Sequence, residues 1–260
     1  MPEWDPKDYE KNSCAQEKWA KEIIEKLGLR GDEHILDIGC GDGKVSAELA
    51  RHAPKGRVAG LDSSGEMIGY ASAKYRGCAN LRFEKGDASS LRYEGEYDLV
   101  VSFACLHWVK DHRPVLEGIR RSLRPNGRTV LQFGGKGNAE DLVKAAEDVI
   151  AGNWGGYFKE FTFPWTFYAA EEYRALIEQS GLKPLRVELI PKDREDLGKE
   201  GIASFIRTAW HPYTSRIPED MRNKFIDEVA EEYLRRYPLD SKGVAHTRMV
   251  RLEAEARLTL

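Results

Sequence analysis

A glycine-rich segment between two aspartates is the part of the chain whose residue types and spacing point most directly to chemistry. The segment Leu36-Asp37-Ile38-Gly39-Cys40-Gly41-Asp42-Gly43 follows a short apolar run. Glycines at such a turn let a ligand approach the backbone closely, because no Cβ stands in the way. The dinucleotide fingerprint GxGxxG would need a glycine where Lys44 stands. The spacing therefore argues against a nicotinamide dinucleotide.

Charge in this region favours a cationic ligand. The carboxylates of Asp37 and Asp42 would repel a pyrophosphate, whereas they would attract an ammonium and a sulfonium, as in S-adenosylmethionine. Asp62 ends the next apolar run, where a carboxylate can accept hydrogen bonds from both hydroxyls of a ribose. Asp87, in Gly86-Asp87-Ala88, can accept from an adenine amino group. Three such features at the ends of consecutive strands are better explained by a cofactor site than by three unrelated helix caps.

The elements that position these residues alternate regularly between strand and helix. The pattern predicts strands over 34–40, 57–62, 81–88, 97–106 and 127–133, with helices over 44–52, from Ser64 onwards, and over 113–123. Ser64 is the expected N-cap of its helix, with Met67 in the first turn. This alternation predicts a doubly wound α/β sheet, which binds its ligands at the carboxyl ends of the strands.

The regular alternation of strands and helices ends after Gly137. We expect helices over 139–151, 170–182, 202–210 and 218–239, strands over 185–190 and 248–258, and a polar loop over 192–201. Aromatic residues crowd into 153–168, which predicts a loop or cap. Some of these rings, among them Trp154, Phe158, Trp165 and Phe167, would line an acceptor pocket or pack the cap itself.

Composition excludes several classes of protein. The 260 residues carry 40 basic and 43 acidic side chains in mixed order, for a net charge of −3, so no nucleic-acid partner is expected. No apolar run reaches the length of a membrane span, and no secretory signal is visible, so we expect a cytoplasmic protein without a membrane partner. The four cysteines lie far apart in the sequence, and no histidine stands near them at the spacing typical of metal ligands. No metal site is therefore expected.

These motifs, with the strand Tyr97 to Phe103, resemble those of class I S-adenosylmethionine-dependent methyltransferases. Within that class, the segment Ser102 to Val109 and the spacing of Tyr9, Ser13 and Gln16 are similar to the trans-aconitate and juvenile hormone acid methyltransferases. The resemblance implies a sheet of about seven strands with an antiparallel last strand, a helical cap, and S-adenosylmethionine as cofactor. The expected cofactor contacts are Tyr9, Asp37, Gly39, Gly41, Asp62, Ser63, Met67, Gly86, Asp87, Ala88 and Phe103.

The same resemblance implies that Gln16 and Trp108 face a carboxylate of the acceptor. An acid is already ionised at pH 7, so it needs oriented hydrogen-bond donors and no general base. A phenol, amine or carbon acceptor would need a base, and His107 is the candidate for that role, its alternative being a pocket wall. We therefore predict O-methylation of a small organic acid, with methylation of those other acceptors, or cofactor binding without catalysis, as alternatives.

The expected organisation has three parts. Residues 1–30 form an N-terminal helical lid, residues 31–137 bind the cofactor, and residues 138–260 complete the sheet and carry cap insertions over 138–168 and 194–240.

Overall fold

Seven strands form one mixed sheet in the structure, a computed structural model that describes Glu22 and residues 24–259. Their order across the sheet is β3-β2-β1-β4-β5-β7-β6. The strands are β1 (His34–Ile38), β2 (Arg57–Asp62), β3 (Leu81–Lys85), β4 (Tyr97–Phe103), β5 (Leu123–Gly134), β6 (Lys183–Leu197) and β7 (Val244–Arg257).

Strand direction follows the predicted pattern. β1 pairs in parallel with both β2 and β4, β2 pairs in parallel with β3, and β4 with β5. β7 lies between β5 and β6 and runs antiparallel to β5. The doubly wound fold and its antiparallel last strand are thus confirmed.

Eight α-helices connect these strands in the described part of the chain. They are α1 (Lys44–His52), α2 (Gly65–Lys74), α3 (Arg113–Ser122), α4 (Glu140–Val149), α5 (Ala170–Gln179), α6 (Gly198–Ala209), α7 (His211–Thr214) and α8 (Glu219–Arg236). The hydroxyl of Ser64 accepts a hydrogen bond from the backbone N–H of Met67 at 3.3 Å, which confirms the predicted N-cap of α2.

Both faces of the central strands are covered. Successive residues of a strand point to opposite faces, and Ile35 and Leu36 of β1 enter two different apolar clusters. The cluster of Leu36 includes Leu116 of α3, and the cluster of Ile35 includes Leu49 of α1. This arrangement explains why β4 is apolar on both faces.

The chain divides into two compact units. The sheet unit holds residues 24–136, Trp165–Ile190 and 251–259, and the helical unit holds Gly137–Pro164 and Pro191–Val250. The helical unit has an aromatic core, in which Trp154 packs edge-on against Phe225 at 5.3 Å and Phe158 lies 5.6 Å from the same ring. Because Trp154 and Phe158 are buried there, they pack this unit.

One prediction of local structure is wrong and another holds in part. The polar stretch over 192–201 is not a loop, because β6 continues to Leu197 and α6 begins at Gly198. Within the predicted loop or cap over 153–168, a π-helical turn (Ile150–Trp154) and a short 3₁₀ helix (Gly155–Phe158) follow α4, whereas 159–168 form no helix or strand. Among the described helices, none combines the length and apolar character needed to cross a bilayer.

Candidate active site

The loop between β1 and α1 is shaped by its glycines. Gly39, Gly41 and Gly43 all have positive φ, at 76°, 52° and 81°. A Cβ on Gly39 would lie 2.1 Å from Sγ of Cys105, and one on Gly43 would lie 2.6 Å from the ring of Phe83. The loop therefore needs glycine both for its backbone conformation and for close packing against neighbouring strands.

Asp62 joins the end of β2 to this loop. One carboxylate oxygen accepts the N–H of Gly41 and the other accepts the N–H of Ser64, each at 2.9 Å. The carbonyl of Leu61 also accepts from the N–H groups of Gly39 and Cys40. Burial raises the pKa of Asp62, whereas hydrogen bonds from the backbone N–H groups of Ser64, Gly41 and Ser63 lower it. A carboxylate has about four acceptor positions, so the side chain can still accept from a ribose hydroxyl.

The two other acids of the loop are not free charges. Asp37 is fully buried, and the hydroxyl of Ser46 donates to it at 2.6 Å. Burial raises the pKa of Asp37 to about 7. Asp42 lies 3.4 Å from the ammonium of Lys44. The attraction of this loop for a cation is therefore weaker than the sequence alone indicates.

The end of β3 completes a row of three strand ends. The N–H of Gly86 donates to the carbonyl of Asp62 at 2.9 Å, and Asp87 accepts from the N–H of Ser89 at 2.8 Å. Asp87 is exposed, whereas Met67 in α2 is buried. Hydrogen bonds thus connect the loops that follow β1, β2 and β3, and these loops carry most of the expected cofactor contacts.

β4 ends in a strained turn beside this row. The hydroxyl of Ser102 donates to the carbonyl of Ile38 at 2.8 Å and fixes the end of β4 to that of β1. Phe103 is buried, and Ala104 has a φ of 53°, its N–H donating to Gln132 of β5 at 2.8 Å. A left-handed alanine is unfavourable, and such strain is found at functional sites. A short 3₁₀ helix (Leu106–Trp108) follows.

His107 is held as a neutral ring. Burial, together with His112, lowers its pKa to about 3. Its Nδ1 accepts from the N–H of Gly134 at 3.5 Å, so the ring proton is on Nε2. The ring is therefore a hydrogen-bond donor and a very weak base.

An aromatic cluster surrounds His107 within the sheet unit. Trp108 lies 5.5 Å from His107 and 5.7 Å from Trp165, and Trp165 stacks on Phe167 at 6.0 Å. The carbonyl of His107 accepts from the N–H of Thr166 at 2.9 Å, which fixes the segment that carries Trp165 and Phe167. We call His107, Trp108, Trp165 and Phe167 the aromatic cluster. It supplies an apolar wall with three ring N–H groups, one each on His107, Trp108 and Trp165.

His112 is a structural residue that the sequence did not single out. It is fully buried, its Nε2 lies 2.8 Å from the carbonyl of Leu106, and its Nδ1 lies 3.3 Å from the hydroxyl of Tyr173. Burial lowers its pKa to about 4. His112 therefore holds the turn before His107 in place while remaining neutral.

His112 should make the fold sensitive to mild acid. In the unfolded chain, His112 is protonated below about pH 6.5, whereas in the folded chain it is protonated only below about pH 4. The free energy of unfolding of the wild type should therefore decrease as the pH falls from 6.5 to 4. In His112→Gln the decrease between pH 7 and pH 4.5 should be smaller by on the order of 2–3 kcal/mol, because the glutamine does not take up a proton. Urea unfolding at both pH values measures it, with His52→Gln, at an exposed histidine, as control. Equal pH dependence in wild type and His112→Gln would contradict the assignment.

Two expected site residues, Tyr9 and Gln16, lie outside the described residues, as does most of the predicted lid. The others are assembled at the carboxyl ends of β1 to β4. The sequence assigned Trp165 and Phe167 either to an acceptor pocket or to packing of the cap, and it did not indicate their place beside His107.

Comparison with known proteins fits this geometry. A family described as a methyltransferase domain matches residues 35–127. The chain is 31% identical over 226 residues to an uncharacterised methyltransferase, C70.08c, of Schizosaccharomyces pombe, covering 82% of this chain and 85% of that one. It is 27% identical over 258 residues to the trans-aconitate 2-methyltransferase of Deinococcus radiodurans, covering 95% and 96%. The fold is similar to that of the YcgJ protein of Bacillus subtilis, with a TM-score of 0.62, 18% identity, and 93% and 98% of the two chains covered.

Proposed function

The chain belongs to the class I S-adenosylmethionine-dependent methyltransferases, and we propose that it methylates a carboxylate oxygen of a small organic acid. The cofactor, when bound, supplies a methyl group made electrophilic by its sulfonium. The chain's own residues then have to hold the cofactor, orient the acceptor and exclude water.

The strand ends suit this cofactor. Asp62 is fixed by the N–H groups of Gly41 and Ser64 with lone pairs to spare, and this is the acceptor set that ribose hydroxyls require. Asp87 is exposed beside it and would accept from the adenine amino group. We propose that Gly39, Ser63, Met67, Ala88 and Phe103 also contact the cofactor, as expected from the sequence.

The surroundings of His107 carry the acceptor proposal, because its Nδ1 faces the N–H of Gly134 at 3.5 Å and burial favours the neutral ring. A phenol has a pKa near 10 and has to lose its proton before or during transfer, which a base of pKa about 3 does not assist. A carboxylic acid arrives ionised at neutral pH. The neutral ring of His107 then acts as a donor through Nε2–H, and Trp108 donates through its indole N–H.

Neutral donors are suited to a nucleophilic carboxylate. They orient its oxygens without the strong pairing to a cation that would lower their reactivity. Gln16, outside the described residues, is the third donor in this proposal. The Deinococcus relative, which is named for an acid, supports the same acceptor class.

An acceptor screen with labelled cofactor tests the proposal. We expect turnover on organic acids and, at saturating cofactor, a kcat that is flat from about pH 6 to 8, because neither the acid nor His107 titrates there. A change near pH 7 confined to the KM for the cofactor would report Asp37 instead. Trp108→Phe keeps an aromatic ring but removes the N–H, so kcat/KM should fall by about 10- to 100-fold. The affinity for S-adenosylhomocysteine should stay within about twofold of wild type.

His107→Gln separates the donor role from a base role. Gln retains an N–H donor, so we expect a smaller loss than in His107→Ala, with the flat pH profile preserved. Turnover confined to phenols or amines, with a rate that rises with pH and collapses in both His107 variants, would assign the base role instead. Tight cofactor binding with no turnover on any acceptor would favour a binding protein.

A further inference from the structure

A cavity of about 520 Å³ opens at the end of the sheet opposite the glycine loop. Its lining includes His34, Arg57, Leu81 and Tyr97, which are the first residues of β1, β2, β3 and β4. The glycine loop follows the last residue of β1, five residues further on. At about 3.3 Å per residue, the cavity lies on the order of 16 Å from the cofactor site. It is therefore a separate site within the sheet unit.

Three arginines and one acid line this cavity, namely Arg57, Arg82, Arg124 and Glu96. Two of the arginines have acidic partners beside it, because Arg124 pairs with Asp98 and Arg82 lies 3.9 Å from Glu84. The positive charge that an entering ligand would meet is therefore concentrated on Arg57, and a cation in a concave site favours anions. The volume is in the range of small-molecule sites.

The arginines differ in what they already bind. Arg124 donates to Asp98 at 2.8 Å, and Arg82 donates to the hydroxyl of Tyr97 at 3.3 Å. Arg57 makes no side-chain hydrogen bond or ion pair with any residue that the structure describes. Among the three arginines of the lining, Arg57 alone has no acidic partner within the described part of the chain.

His34 adds a neutral donor. Its Nδ1 lies 3.0 Å from a guanidinium nitrogen of Arg124, which can only donate, so Nδ1 is the acceptor and the ring proton is on Nε2. A neutral ring with an N–H beside arginine forks is suited to an anion with several oxygens, because each donor then meets its own oxygen.

We propose that this cavity binds a small molecule bearing a phosphate group or a pair of carboxylates, with Arg57 as its main ion-pairing residue. The planar fork of arginine matches both groups in a bidentate manner. The cavity is bounded by four strand starts, and this favours a compact ligand over an extended polyanion. Occupancy would stabilise the amino-terminal end of the sheet without touching the cofactor.

Isothermal titration with pyrophosphate, and in a second arm with citrate, tests the proposal at ionic strength matched by sodium chloride. We expect a dissociation constant on the order of 0.1 mM for one of the two, weakened about tenfold or more in Arg57→Gln. The stronger of the two probes identifies the phosphate or the dicarboxylate as the preferred group. Binding of S-adenosylhomocysteine should be unchanged in this variant.

Lys55→Gln is the matched control, because Lys55 is an exposed cation two residues away that does not line the cavity. It should bind the probe as wild type does. Three results would overturn the proposal: no binding of either probe, equal weakening in Lys55→Gln, or much tighter binding of a single-stranded oligonucleotide than of pyrophosphate. The last two would show a general polyelectrolyte surface.

Discussion

Gly39→Ala should lower the free energy of unfolding by about 2–4 kcal/mol and abolish cofactor binding at micromolar concentrations. The position combines a φ of 76° with a neighbour that leaves no room, since the added Cβ would lie 2.1 Å from Sγ and 2.3 Å from Cβ of Cys105. Either the loop or the turn after β4 has to move. Both belong to the site, so the stability loss and the loss of binding have one cause. Chemical unfolding and calorimetry with S-adenosylhomocysteine measure the two effects.

Gly28→Ala is the control for the cost of placing alanine at a positive φ. Gly28 also has a positive φ, at 58°, but a Cβ there meets nothing within 4 Å, so only about 1 kcal/mol should be lost. In the Gly39→Ala background, Cys105→Gly should recover part of the stability, whereas Cys105→Ala should recover less, because its Cβ remains in the way. If Gly39→Ala proves no more damaging than Gly28→Ala, the packing explanation fails.

The sequence predicted the sheet well where local signals were strong. The N-cap at Ser64 and the apolar runs of β1, β2 and β4 are read from neighbouring residues alone, and the structure confirms them. β6 was cut short in the prediction because its second half is polar. It is an edge strand of the sheet and is exposed along much of its length, so its residues are as polar as those of a loop.

The electrostatic state of the site could not be predicted from the sequence. Asp37 and Asp42 were interpreted as charges that attract a cation, but Ser46 binds the first and Lys44 pairs with the second. The neutral tautomer of His107 depends on Gly134, which is 27 residues away, at the end of β5. Residue spacing indicates which groups gather at the strand ends, whereas their protonation follows from burial and from partners distant in the chain.

Asp62→Ala should weaken S-adenosylhomocysteine binding by about 30- to 100-fold. The carboxylate has two tasks, because it holds the N–H groups of Gly41 and Ser64 and, in our proposal, receives the ribose hydroxyls. Its removal leaves donors of both protein and ligand unpaired. Asp32→Ala, at an exposed acid that pairs with Arg30, should leave the affinity unchanged. Asp87→Ala should show a smaller loss, of about 5- to 10-fold, since that acid is exposed to water.

The two tasks of Asp62 are separated by changing the ligand. If the carboxylate binds the ribose, a 2′,3′-dideoxy analogue of S-adenosylhomocysteine should bind wild type about 10-fold or more weakly than the parent compound. Asp62→Ala should then hardly distinguish the two ligands, because the partner of the hydroxyls is already gone. If Asp62→Ala instead discriminates between them as strongly as wild type does, Asp62 acts only by holding the glycine loop, and the ribose is bound elsewhere.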